Sequence, residues 1–116
     1  MKPSPCSRGE VWMVDFSPSR GSEQKGIWPA LIIQNDVGNI HASTTIVAAI
    51  TTTIKKYPVT VVLDMDEGGL KQRSMVNLAQ ILTLDKSRLK RKVGRLSQAR
   101  LVEVDNALVI SLGIGE

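Results

Sequence analysis

Hydrophobic and polar positions alternate along most of the chain and change period only near its end. Residues 9–16, Gly-Glu-Val-Trp-Met-Val-Asp-Phe, alternate in part and predict a strand. Residues 17–27 form a polar stretch with Gly21 and Gly26, the kind of loop that carries function when a rigid scaffold holds it. Residues 29–35 predict a strand with both faces at least partly buried, and Pro29 must then sit at its start or on an edge. Gly38-Asn39 marks a turn. Residues 45–51 predict the next strand, which ends in three successive hydroxyls, Thr51, Thr52 and Thr53. Residues 58–64 alternate again, Gly68-Gly69 breaks the chain, and residues 74–78 and 81–84 predict two short strands with Gln80 between them. After a brief turn past Asp85, residues 90–96 predict a basic strand.

The period then lengthens. Leu101, Val104, Leu108 and Leu112 fall on one helical stripe. Ser97 is placed to cap its start, with Arg100 where a capping box would have Glu, and Gly113 and Gly115 end it. Many short strands followed by one helix predict a mainly β fold, a small barrel or strongly bent sheet with a C-terminal α-helix packed on it.

Composition sharpens this picture. At 116 residues the chain fits a single domain spanning 1–116, with 1–8 as a loose lead-in. Hydrophobic residues make up 42% but aromatics only 3%, so the core must be aliphatic. The lone cysteine, Cys6, cannot form an internal disulfide and joins no Cys/His cluster, which fits a reducing, cytoplasmic setting. No apolar run approaches the length of a membrane span, and the first residues lack the apolar stretch of a signal peptide. The net charge is +4, yet residues 86–100 alone hold seven basic side chains (Lys86, Arg88, Lys90, Arg91, Lys92, Arg95 and Arg100) and no acid. The rest of the chain is net acidic. Such a cluster is either the footprint of a polyanion binder or a solvated face.

Several chemistries are excluded or disfavoured. There is no glycine-rich phosphate loop. His41, the single histidine, has no ligand-spaced partner, and Asp64, Asp66 and Glu67 read as a polar turn before Gly68-Gly69 rather than a metal site. RNA cleavage without a metal stays open, because RNA carries its own nucleophile, the 2′-hydroxyl. An enzyme then has only to orient the attack, move protons and stabilise charge at phosphorus, which hydroxyl, amide and cationic side chains can do.

Residues 21–36, Gly-Ser-Glu-Gln-Lys-Gly-Ile-Trp-Pro-Ala-Leu-Ile-Ile-Gln-Asn-Asp, resemble the signature of the MazF/PemK family of toxin ribonucleases. The blocks Arg8–Trp12, Asp15–Pro18, Ile46–Thr51, Ala79–Asp85 and Val104–Leu108 are similar to the family in the same order, over roughly residues 8–112. The resemblance implies an SH3-like barrel of the CcdB/PemK plasmid-maintenance toxin type that forms a homodimer. It implies a cofactor-free endoribonuclease that cuts single-stranded RNA by 2′-hydroxyl attack. It also implies inhibition by an acidic antitoxin, with operator DNA engaged only through that antitoxin and no membrane partner. The basic segment would suit either acidic partner. Thr51 matches the family's second catalytic residue, and Ser22, Glu23, Gln24, Ser74 and Gln80 match positions near its RNA groove.

Trp28 stands where the family pattern has its principal catalytic arginine, and Ala79 and Leu82 replace an acid and a base. An indole offers one N–H and no cationic fork for a phosphate. Trp28 could reflect a selected or engineered inactivation, a lineage that binds RNA or antitoxin without cutting, or a site where Lys25 or Arg20 supplies the charge. It could also stack on a base. A gyrase-type poison is a further alternative on the related fold, acting through the end of the C-terminal helix, since a fold alone does not decide function.

Overall fold

A computed structural model of the chain describes residues 5–17 and 26–115. Six strands form one antiparallel sheet: β1 (Glu10–Asp15), β2 (Ile27–Ile32), β3 (Thr44–Thr51), β4 (Thr60–Leu63), β5 (Ser74–Asp85) and β6 (Leu89–Arg95). Their order is β4-β5-β3-β2-β1-β6. A short helix, α1 (Asp36–His41), links β2 to β3, and α2 (Gln98–Leu112) closes the chain. The mainly β fold with a C-terminal helix is as expected. The sheet is curled rather than closed: β4 and β6 are its edges, and no ladder joins them among the described residues.

Alternation sorts the two faces, because successive strand residues point to opposite sides. Val11, Leu31, Ala48, Ile50, Val76 and Leu78 form one cluster with Leu101, Val104 and Ala107 of α2. Their sequence neighbours Val14, Ala30, Ile32 and Val47 join Cys6 and Phe16 on the other face. The first cluster is wholly aliphatic, as the composition required, and the second adds Cys6 and Phe16 to its aliphatic members. The predicted helix stripe holds at Leu101 and Val104 and in part at Leu108, and Ala107 is buried with them, whereas Leu112 is 59% exposed. Ser97 caps α2 by accepting a hydrogen bond from the Arg100 N–H at 3.2 Å. Arg100 itself turns to Glu67 and Glu103, at 2.7 and 3.0 Å. Glu67 thereby sits below its usual pKa range, chiefly because of the Arg100 hydrogen bond.

Pro29 falls inside β2 without breaking a ladder. It pairs with Met13 of β1, while pairing to β3 begins only at Ala30, so that part of β2 is an edge on the side where the missing N–H would count. The predicted strands 74–78 and 81–84 are one strand with a wide bulge. Ala48 and Ala49 are adjacent on β3, yet they face Ile81 and Asn77. Leu78 N–H bonds instead to the Val59 carbonyl at 2.8 Å. The extra residues bend the sheet and end one run of alternation before the next begins.

Two further expectations change. Gly38-Asn39 lies within α1 rather than in a turn; Asn35 caps the helix, accepting from Gly38 N–H at 2.8 Å. The end of the lead-in is anchored: Arg8 donates to the Asp36 carboxylate and the Ile33 carbonyl and pairs with Asp105 at 2.8 Å. The Gly68-Gly69 break is a 3₁₀ turn, Glu67–Gly69, pressed onto β6. A Cβ on Gly94 would lie 2.4 Å from the Gly68 carbonyl oxygen, and one on Gly69 (φ +79°) 2.2 Å from the Val93 oxygen. Backbone meets backbone there, so nothing can give cheaply. Gly94→Ala is expected to destabilise the fold by about 1–3 kcal/mol, read as a lower urea midpoint at fixed protein concentration. An unchanged midpoint would show that the turn shifts freely.

Candidate functional site

Three of the residues nominated from sequence converge. Trp28, Thr51 and Ser74 line one pocket of about 150 Å³ together with Pro29, Ile50 and Thr52. The register explains the meeting. β3 pairs with β5 so that Thr51 faces Met75, which puts the end of β3 beside the start of β5. β2 brings Trp28 alongside, because Ala30 pairs with Ala49.

The two hydroxyls have opposite polarity. Thr51 Oγ1 accepts from the Thr53 N–H at 3.1 Å, which leaves its own proton to donate. Ser74 Oγ donates to the Gln72 carbonyl at 2.9 Å, which leaves its lone pairs to accept. Ser74 is buried and Thr51 half-buried. Trp28 is 48% exposed at the mouth, and its indole nitrogen lies 4.0 Å from where a Cβ on Gly26 would stand. A donor, an acceptor and an aromatic face at one opening suit a phosphate flanked by an unstacked base.

Other nominated residues lie elsewhere. Gln80 is exposed in the β5 bulge, six residues beyond Ser74 and at most about 20 Å away along the strand. Ala79 shares that bulge, and Leu82 packs on the face opposite α2. Ser22, Glu23, Gln24, Arg20 and Lys25 lie outside the described residues. His41 is exposed on α1.

A larger pocket of about 320 Å³ is lined by Asp15, Phe16, Leu82, Thr83, Leu84, Asp85 and Arg88. Hydrogen bonds from Ser17 hold the Asp15 carboxyl below its ordinary pKa, and the Ser87 backbone N–H does the same for Asp85. Both are therefore anionic at neutral pH, and the Arg88 guanidinium is turned to the Asp15 and Ser17 carbonyls. That rim repels a phosphate.

The basic segment is the largest revision. Lys86 bonds the Asn39 carbonyl and Arg88 bonds two carbonyls. Lys92 and Arg95 pair with Glu10 at 2.9 and 3.7 Å, and Arg100 pairs with Glu67. Glu10 is only 6% exposed. Burial pushes its carboxyl up, but hydrogen bonds from Trp12, Lys92 and the Ser7 backbone outweigh this and leave it lowered. Pulling Lys92 away to a polyanion would strand that charge. Charge counting along the sequence could not foresee this, because, apart from Glu103 on the helix of Arg100, these partners lie on another element or across a turn.

A curled antiparallel sheet backed by one helix, with a hydroxyl-lined pocket where three strands meet, defines a class of small mainly β domains with a site at one end of the sheet. The model of the PemK-like, MazF-like toxins of type II toxin–antitoxin systems matches residues 7–112, and the chain belongs to that family. It is 50% identical over 109 residues to the Endoribonuclease MazF of Staphylococcus epidermidis, covering 92% of this chain and 91% of that protein. Among solved structures it resembles an endoribonuclease from Mycobacterial species (TM-score 0.82, 25% identity, 100% of this chain and 99% of that one). A Mycobacterial endoribonuclease in complex with its cognate antitoxin is equally similar (TM-score 0.82, 27% identity, 96% and 98%). MazF from Deinococcus radiodurans is slightly less similar (TM-score 0.79, 26% identity, 97% and 100%).

Proposed function

We propose that this chain is a toxin-type endoribonuclease scaffold that takes single-stranded RNA and is opposed by an acidic antitoxin. The observation that carries the reading is the convergence of Trp28, Thr51 and Ser74 on one pocket. In the proposed reaction the 2′-oxygen of one nucleotide bonds to the adjacent phosphorus and the bond to the 5′-oxygen breaks. The 2′-proton passes to a base and the leaving oxygen gains a proton, giving a 2′,3′-cyclic phosphate and a 5′-hydroxyl. Thr51 donates to a phosphate oxygen and Ser74 accepts from the substrate. Both act by positioning and by stabilising developing charge. Ser22, Glu23, Gln24 and Gln80 belong to the same reading as further RNA contacts.

The active form is proposed to be a homodimer. Trp12, Leu82, Leu84 and Leu89 are only partly buried against the cluster on the face away from α2, an apolar patch that a second copy would cover. Opposition by an antitoxin is part of the same proposal, supported by the likeness to a Mycobacterial endoribonuclease solved in complex with its cognate antitoxin.

The second reading, a relative that binds RNA or antitoxin without cutting, is favoured by Trp28, which brings no charge to a phosphate site. The test incubates the purified chain with long single-stranded RNA in the presence of a chelator. Fragments ending in cyclic phosphate, abolished by a 2′-deoxy substitution at the cut, support the enzyme. Binding with no fragments supports the second reading. Failure to bind either RNA or an acidic antitoxin peptide overturns both.

A further inference from the structure

Lys90 and Arg91 of β6 are exposed and form no ion pair among the described residues, but two loops that adjoin the pocket of Thr51 and Ser74 carry cations of their own. Residues 52–59 leave β3 just past Thr51, and residues 70–73 enter β5 just before Ser74. Because Thr51 pairs with Met75, both loops emerge at the same end of the sheet, one from each wall of the pocket. They carry Lys55, Lys56, Lys71 and Arg73, all exposed. None of the four forms an ion pair among the described residues, in contrast to Lys92, Arg95 and Arg100. Two of the three acids after β4 are occupied: Asp64 and Glu67 face Arg100 at 3.6 and 2.7 Å.

These loops are tied to the pocket by its own hydroxyls. Thr51 holds the Thr53 N–H and Ser74 holds the Gln72 carbonyl. Lys55 is fixed further: its N–H meets Met75 Sδ at 3.2 Å and its carbonyl accepts from Thr60 Oγ1 at 3.0 Å. The cations are therefore carried on backbone that Thr51 and Ser74 themselves position, and little ordering is left to be done on binding.

We infer that Lys55 and Arg73, with Lys56 and Lys71 beside them, form the phosphate track of the site, gripping the RNA backbone on either side of the pocket. This rests on the RNA-binding reading above and names the residues that would carry it. Contacts of this kind fix position without reading sequence, and each one releases counterions, so its signature is a salt dependence.

The test measures affinity for a non-cleavable, 2′-deoxy-substituted RNA oligonucleotide across a salt series. Lys55→Gln and Arg73→Gln are each expected to reduce the slope of log affinity against log salt by about 0.7. They should weaken binding to different sequences about equally. Lys90→Gln and Arg91→Gln on β6 are expected to leave the slope unchanged. All four positions are exposed, and circular dichroism checks each fold. If the parent chain binds but the slope falls with the β6 changes instead, or is untouched by the loop changes, the track is wrong while the RNA reading stands. If the parent chain binds no oligonucleotide at all, the RNA reading fails and the track with it.

Discussion

Trp28→Arg is expected to raise single-turnover RNA cleavage by roughly 10²- to 10⁴-fold, the scale on which one positioned catalytic group acts. Trp28 sits at the mouth of the pocket opposite Thr51 and Ser74 and is 48% exposed, so an arginine there can reach the pocket without losing its solvation. Its planar fork can bond two phosphate oxygens at once as charge builds on phosphorus. The indole can offer only one neutral N–H. Because the parent has no such group at this position, the gain should fall on the chemical step, with affinity for the non-cleavable oligonucleotide altered far less. Equal rates for the two proteins would defeat the idea that this position limits catalysis. It would mean that another cation, Arg73 or Lys55 in the loops next to the pocket or Lys25 or Arg20 before β2, already serves.

Loss of the Asn39 side chain should have the largest effect on stability. Asn39 is 0% exposed. Its amide N–H groups donate to the Gln34 carbonyl and the Asp36 carboxylate, both at 3.0 Å, and its oxygen accepts from Gln34 Nε2 at 3.0 Å and Thr45 Oγ1 at 2.8 Å. Thr45 is itself wholly buried. Truncation would leave several of these partners without a mate inside the protein, and each orphan costs about 1–3 kcal/mol. Asn39→Ala is therefore expected to cost on the order of 3–5 kcal/mol, seen as a lower urea midpoint with an unchanged slope. A loss under about 1 kcal/mol would mean that water replaces the amide and that the link between α1 and β3 is not specific. The Asp36 carboxyl reports the same network: hydrogen bonds from the Arg8 backbone and Asn39 hold it below its ordinary range.

Asn39 also marks the boundary of what could be read in advance. Beside Gly38 it has the composition of a turn, and local propensity has no means of showing that a threonine on the next strand will meet its amide. The bulge in β5 has the same origin. Residues 74–85 contain a break in alternation around Gln80, and only pairing with β3 reveals one continuous strand with extra residues rather than two strands. By contrast, β1, β3, β6 and α2 were predicted nearly to their ends, because each has a periodic pattern that its neighbours reinforce. In the site, the chain itself singled out Trp28, Thr51 and Ser74 through family spacing, while Lys55 and Arg73 carry no local signature that separates them from any exposed cation.

What the sequence determined alone is the order of strands and final helix, the aliphatic core, the family, and the tryptophan standing in an arginine's place. The elements and the core follow from period and composition, and the family and the displaced arginine from the resemblance of the motifs, all of which are properties of the chain. Tertiary structure alone decided that the sheet curls without closing, that three pocket residues from three strands share one opening, and that most of the basic segment is turned to internal carbonyls and carboxylates. Those outcomes depend on which residues come within a few ångströms of one another. Charge and hydrogen bonding act at that range through space, irrespective of separation along the chain.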